Sequence, residues 1–181
     1  MTWLVLGVGL WAFAHLFKRL FPARRAALGE TARGLVALGV LVALVLMVIG
    51  FRAADGEFFW GRSPALVGIN NLLTLAAVYL FAASVAQTRV TAWLRHPQLS
   101  AVILWAVAHL LVNGTTESFV LFGGLLFWAL AEVVLINRQT VWTRPGGGFA
   151  LHKEALTAVA AGIAYAAITY AHDWFGYPPF G

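Results

Sequence analysis

Residues 35–49, LVALGVLVALVLMVI, decide the fold class because none of these side chains is charged or able to form a strong hydrogen bond. The apolar residues follow one another without the polar alternation that strands of a membrane β-barrel require. In lipid, a segment of this kind satisfies its backbone hydrogen bonds by forming a helix. The stretch therefore predicts a transmembrane helix.

Comparable apolar segments recur along the whole chain, which is 61% hydrophobic and 10% charged over 181 residues. A soluble domain of average composition is far less apolar and carries more charge. Apolar stretches of roughly 15 to 22 residues predict six spans, at residues 2–21, 34–51, 64–87, 99–113, 118–137 and 154–174. The predicted fold is an all-α integral membrane protein, a bundle of about six transmembrane helices that forms one domain over residues 1–181.

Basic residues fall mainly in the connections that follow spans 1, 3 and 5. These ten are Lys18, Arg19, Arg24, Arg25, Arg33, Arg89, Arg95, Arg138, Arg144 and Lys153. The opposite connections hold only Arg52 and Arg62. Because basic loops stay in the cytoplasm, the distribution predicts a multi-pass protein with its amino terminus outside.

Two classes of function are excluded by the same composition. The chain has no cysteine, so thiolate catalysis and cysteine-ligated metals are ruled out. The net charge of +5 is explained by basic residues beside membrane spans, and it gives no reason to predict a nucleic-acid partner.

Two six-residue segments nearly repeat each other, Trp11-Ala-Phe-Ala-His-Leu16 in span 1 and Trp105-Ala-Val-Ala-His-Leu110 in span 4. The two spans run in opposite directions, so an approximate two-fold axis in the membrane plane would relate the segments. At about 1.5 Å per residue, His15 and His109 lie within roughly 5 Å of the same depth. The geometry permits one metal between two imidazoles.

Haem b is the cofactor that this pair would suit, because neutral imidazole ligates iron and the porphyrin matches apolar walls. His15 and His109 are then the predicted metal ligands, with Trp11 and Trp105 one helical turn away on the same faces. The alternative is that both are core histidines hydrogen-bonded to neighbouring helices. Ionisable residues at membrane depth favour a functional role, but the sequence leaves both interpretations open.

Other polar residues near these spans are candidates for binding the cofactor. Arg95 and His96 precede Pro97 at the start of span 4, where they could bind an anionic group such as a haem propionate or a lipid headgroup. Arg33 is a second candidate for the propionates, and Asn113 ends span 4. The cofactor-binding set is therefore Trp11, Arg33, Arg95, His96, Trp105 and Asn113.

Span 5 carries two further predictions. Gly123 and Gly124 are expected to allow close helix contact. Glu132, near the cytoplasmic end of the span, is expected to form an ion pair with Arg95, His96 or Arg138.

These motifs resemble the NnrU family of bacterial membrane proteins. The resemblance rests on Leu94-Arg-His-Pro-Gln-Leu99, Leu104-Trp-Ala-Val-Ala-His-Leu-Leu-Val-Asn-Gly114 and Leu121-Phe-Gly-Gly-Leu-Leu-Phe-Trp128, and covers roughly residues 4–140. His109 follows His96 at a spacing of thirteen positions, with Trp105 between them. The family resemblance implies the bacterial cytoplasmic membrane and a link to denitrification.

The same pattern is similar to that of the plant and cyanobacterial cis-zeta-carotene isomerase, a membrane enzyme that depends on haem b. This likeness implies axial ligation by His15 and His109. Where the isomerase has a cysteine three residues before its second histidine, this chain has Ala106. The ligand exchange proposed for the isomerase is therefore in doubt for this chain.

Three functions remain open at this point. The first is a haem b protein in redox or nitric-oxide-linked chemistry or in polyene isomerisation; its partners would be membrane lipids and an apolar polyene or a nitrogen oxide. The second is a methyltransferase of the isoprenylcysteine type, because Arg95-His96-Pro97 also resembles the cofactor-binding segment of those enzymes. The third is a non-catalytic assembly or sensory subunit. Whether the chain is an enzyme or a homo-oligomer stays open.

Overall fold

The computed structural model describes residues 1–146 and 148–180. Its helices are α1 Thr2–Leu20, α2 Pro22–Ala27, α3 Gly29–Arg52, α4 Pro64–Ala86, α5 Pro97–Val112, α6 Thr116–Gln139 and α7 Leu151–Trp174. A 3₁₀ turn, Arg89–Ala92, joins α4 to α5. Two short strands, β1 Phe58–Trp60 and β2 Gly114–Thr115, pair antiparallel.

Five of these helices, α1, α3, α4, α6 and α7, are long and apolar enough to cross a membrane. The helix α5 is also apolar but has 16 residues, about 24 Å, which is shorter than a bilayer core of about 30 Å. Large apolar side chains such as Leu38, Leu41 and Leu72 lie exposed on the outside of the bundle, where lipid would cover them. The helical membrane architecture is confirmed, whereas six complete spans and the orientation stay predictions.

The predicted spans differ from the helices chiefly where polar turns extend beyond the hydrocarbon core. The third helix begins at Gly29, five residues before the predicted span, and its first turns carry Glu30 and Arg33. The last helix likewise begins three residues before its predicted start, at Leu151. Hydropathy alone omits such turns because they carry charged side chains such as Glu30 and Arg33.

The helix α6 lies at the centre of the packing, in contact with both α1 and α5. Outside it, α3 packs on α1, α4 packs on α5, and α7 packs on α4. A core cluster of Leu4, Met47, Leu125, Trp128 and Ala129 joins α1, α3 and α6. Because α5 ends at Val112 and α6 begins at Thr116, the two form the predicted antiparallel hairpin.

Glycines bring α1 close to both of its neighbours. A Cβ atom at Gly124 would lie 2.6 Å from Cγ1 of Val8, so this glycine permits the contact of α6 with α1. The predicted role is confirmed for Gly124, whereas Gly123 faces open space. Gly50 of α3 meets the backbone of Leu4 in the same way.

The β pair closes the end of the bundle that is predicted to face outside. Trp60 pairs with Gly114, and its indole Nε1 donates a hydrogen bond to the carbonyl of Leu110 at 3.1 Å. This contact ties the connection between α3 and α4 to the last turn of α5. The sequence analysis did not predict it.

Candidate cofactor site

The first half of the candidate site lies between α1 and α6. The Nδ1 atom of His15 is 2.9 Å from the carbonyl oxygen of Trp11, one turn earlier on α1. The imidazole lies against two indole rings, with centroid distances of 4.3 Å to Trp11 and 4.8 Å to Trp128. Trp11 and Trp128 meet edge to face at 5.6 Å, so His15 borders an aromatic cluster at the helix contact.

The second half repeats this arrangement between α5 and α6. The Nδ1 atom of His109 is 2.8 Å from the carbonyl oxygen of Trp105. Its ring lies 4.9 Å from Trp105 and 4.7 Å from Phe122 of α6, and Trp105 and Phe122 meet edge to face at 5.2 Å. Phe122 belongs to a π-helical segment, Phe119–Gly123, and such segments are frequent at functional sites.

The hydrogen-bond pattern leaves one nitrogen of each imidazole ring without a partner among the described residues. When Nδ1 donates to a carbonyl, Nε2 carries the lone pair. Among the described residues, neither Nε2 has a hydrogen-bond partner. His172 makes the same type of bond to Ile168 at 2.8 Å but is exposed, so aromatic enclosure is what distinguishes His15 and His109.

The two imidazoles lie at different depths along α6. Their neighbours on that helix, Trp128 and Phe122, are six residues apart, about 9 Å. This offset exceeds the roughly 5 Å that the sequence predicted. Side chains on a helix tilt toward its amino terminus. Because α1 and α5 are antiparallel, the imidazoles of His15 and His109 therefore tilt toward each other's depth.

Arg95 and His96 bind the carboxyl end of α6. The Nη2 atom of Arg95 donates to both the carbonyl and the hydroxyl of Thr140 at 2.7 Å. His96 Nε2 lies 2.9 Å from the side-chain oxygen of Asn137. These contacts position the start of α5 on α6, while an interaction of either residue with an anion stays a prediction.

Arg33 and Asn113 lie away from the aromatic clusters. The Arg33 side chain is 72% exposed and pairs with Glu30 of the same helix at 2.8 Å. The side-chain nitrogen of Asn113 donates to the carbonyl of His109 at 2.9 Å, which caps the end of α5. The structure therefore gives Asn113 a helix-capping contact and places Arg33 on the surface.

Glu132 has a different partner from the three that the sequence predicted. Its Oε1 lies 3.8 Å from Nε of Arg19, and the Glu132 side chain is almost completely buried. The prediction of Arg95, His96 or Arg138 was wrong because Glu132 follows Trp128 by one turn and so faces α1.

This contact between α1 and α6 leaves four buried polar atoms without hydrogen bonds among the described residues. They are Nε1 of Trp11, Nε1 of Trp128, Nε of Arg19 and Oε2 of Glu132. Phe122 and Trp128 as neighbours of the histidine pair, and Arg19 as the partner of Glu132, were not predicted from the sequence. The sequence signal that could have identified these neighbours is the pair Phe122 and Trp128, which lie on the same predicted span as Glu132.

Two apolar cavities open on the bundle. One of about 200 Å³ lies between α1 and α3, and one of about 180 Å³ lies between α4 and α5, where Trp105 forms part of the wall. Neither is lined by a histidine. Within the described part of the chain, no three histidine or acidic side chains come together as a metal site.

Comparison with known proteins identifies the family. The model of the NnrU protein family matches residues 3–179, nearly the whole chain. No curated protein and no solved structure matches the sequence. Together with the apolar helices, the match makes this a membrane protein of the NnrU kind. The chain belongs to the NnrU family.

Proposed function

We propose that this NnrU family protein binds haem b inside the membrane, with His15 and His109 as the axial ligands. The observation that carries the proposal is the duplicated Trp-x-x-x-His unit, on two antiparallel helices that both pack on α6. In each unit the Trp carbonyl binds Nδ1, and Nε2 has no hydrogen-bond partner among the described residues.

The donor chemistry of the site fits haem. The porphyrin would supply most of the nitrogen ligands of the iron, so the protein would need to provide only the imidazoles of His15 and His109. The carbonyl oxygens of Trp11 and Trp105 fix the tautomer that presents Nε2, as outer contacts of metal-bound histidines commonly do.

Ligation of one iron by both residues requires a rearrangement of α6 side chains. The Nε2 atoms of His15 and His109 would have to approach the same iron from two sides of α6. Trp128 and Phe122 now contact the two rings and would have to move aside. The π-helical backbone at Phe122 is the part of α6 that departs from regular helical hydrogen bonding.

Bound haem would supply an iron that acts as a one-electron centre or as a Lewis acid. The protein side chains would hold its ligands, exclude water with the indole rings and offer cations to the propionates. Arg95 is proposed as a partner of the propionates because only its Nη2 atom is used in the contacts with Thr140. Arg33 at the surface is the second cation proposed for this role. The chemistry proposed is redox or nitric-oxide-linked, in denitrification, or polyene cis–trans isomerisation, in the bacterial cytoplasmic membrane.

A visible absorption spectrum tests the proposal. The full chain is purified after expression with added haem precursor, alongside His15→Ala and His109→Ala. His152→Ala is the control, because it removes an exposed histidine from the first turn of α7. We expect a Soret band in the wild type and in the control, and a lost or shifted band in both ligand variants.

Two results would overturn the proposal. One is a wild-type protein without a Soret band, and the other is an unchanged band in either ligand variant. Binding of S-adenosylmethionine in calorimetry would support the methyltransferase alternative instead. Co-purification with a reductase, without haem, would support an assembly subunit.

A further inference from the structure

The cavity between α1 and α3 is a groove with an entirely apolar wall. Its lining is formed by Leu10, Phe13, Ala14, Phe17, Leu28, Ala32, Leu35, Val36 and Gly39. Along α3 it extends from Leu28 to Gly39, about 16 Å, which is half of a bilayer core of about 30 Å. The groove is therefore about as long as one leaflet is deep.

The mouth of the groove is basic. Phe13, Phe17 and Phe21 pack in sequence along α1 toward the mouth, with centroid distances of 5.8 Å and 5.9 Å. The guanidinium of Arg24 lies over the Phe21 ring, 5.4 Å from its centroid. Nη1 of Arg25 donates to the carbonyl of Gly29 at 2.8 Å, which holds this second cation beside the start of α3.

These cations have no acidic partner. Lys18, Arg24 and Arg25 form no ion pair with any residue in 1–146 or 148–180. The nearby carboxylate of Glu30 is paired with Arg33. An apolar groove one leaflet long with uncompensated cations at its mouth matches an amphiphile with an acyl chain and an anionic headgroup.

We propose that the groove between α1 and α3 binds one acyl chain of an anionic phospholipid from the leaflet on the basic side of the bundle. Arg24 and Arg25 bind the phosphate of its headgroup. Basic residues beside a span attract anionic lipids in general, and here the apolar groove makes the site specific. The groove lies on the α3 side of α1, whereas His15 faces α6, so this proposal does not depend on haem.

Native mass spectrometry tests the lipid site. The full chain in mild detergent is offered equal amounts of phosphatidylglycerol and phosphatidylcholine with identical acyl chains. We expect the wild type to retain phosphatidylglycerol in clear excess. In the double variant Arg24→Gln/Arg25→Gln, the preference should fall by about five-fold for each guanidinium removed.

A matched pair of glycine variants tests the groove itself. Gly39→Leu fills its inner end, where a Cβ atom makes ordinary contacts of 3.7 Å to Ala14 and 4.0 Å to Leu10. Gly34→Leu is the control, because a Cβ at this position of the same helix meets nothing within 4 Å. We expect Gly39→Leu to lose bound phospholipid of both kinds and Gly34→Leu to retain it.

Three outcomes would overturn the proposal: equal retention of the two lipids by the wild type, equal lipid binding by the two glycine variants, or an unchanged preference in the arginine variant. Helicity and elution as a single species check that each variant is folded. If Gly39→Leu does not fold, the arginine variant, whose changes lie at the mouth of the groove, still decides the matter.

Discussion

Substitution of Gly50 by alanine should separate α1 from α3 and destabilise the bundle. A Cβ atom at this position would overlap the backbone nitrogen of Leu4 and would lie 2.6 Å from its Cα. The carbonyl carbon of Trp3 would be 2.8 Å away. All three contacts are with backbone atoms, so a change of rotamer cannot relieve them.

The size of the effect follows from this overlap. To restore a normal contact, α1 must retreat by about 1 Å from the position in which Leu4 is completely buried. Overpacking of this kind typically costs about 1–3 kcal/mol. Alanine also has the higher helix propensity, by about 1 kcal/mol, which partly offsets that cost.

Gly34→Ala isolates the packing contribution. Gly34 lies on the same helix as Gly50, and its replacement by alanine gains the same helix propensity, but a Cβ atom at this position meets nothing within 4 Å. The measurement is the free energy of unfolding from equilibrium titration with a denaturing detergent in mixed micelles. We expect Gly50→Ala to be less stable than Gly34→Ala by about 1–3 kcal/mol. Equal stabilities would refute the close packing of α1 on α3.

Two further predictions concern the ion pair and the topology. Arg19→Gln should lower the free energy of unfolding by about 1–3 kcal/mol, because it leaves the buried carboxylate of Glu132 without its cation. The exposed control Arg144→Gln should change the free energy of unfolding by less than about 0.5 kcal/mol, and equal effects would contradict the pairing. Since the chain has no cysteine, Thr2→Cys and Thr143→Cys each introduce a single thiol. Thr2→Cys should react with an impermeant maleimide in intact cells and Thr143→Cys only after lysis, and the reverse result would invert the predicted orientation.

The helices could be predicted from the sequence because apolar length is the main requirement for a membrane span. Residues 35–49 illustrate this, since they lie within α3. Lateral packing could not be predicted in the same way. Between helices in lipid it depends on close approach at small residues such as Gly50 and Gly124, and on shape.

The candidate site shows the same division. Sequence repetition found His15 and His109, because both carry a Trp one turn before them. It did not find Phe122 and Trp128, since their contacts depend on the rotation of α6 between its neighbours. The partner of Glu132 was missed for the same reason: nearness along the chain favoured Arg138, whereas the helix face is directed toward α1.

Electron paramagnetic resonance of the ferric protein tests the central proposal most directly, because two imidazoles on one iron give a low-spin centre. We expect one haem per chain with a low-spin signal, converted to high spin by His15→Ala and equally by His109→Ala, but not by the control His152→Ala. A high-spin wild type, or a low-spin signal that survives either ligand substitution, would contradict it.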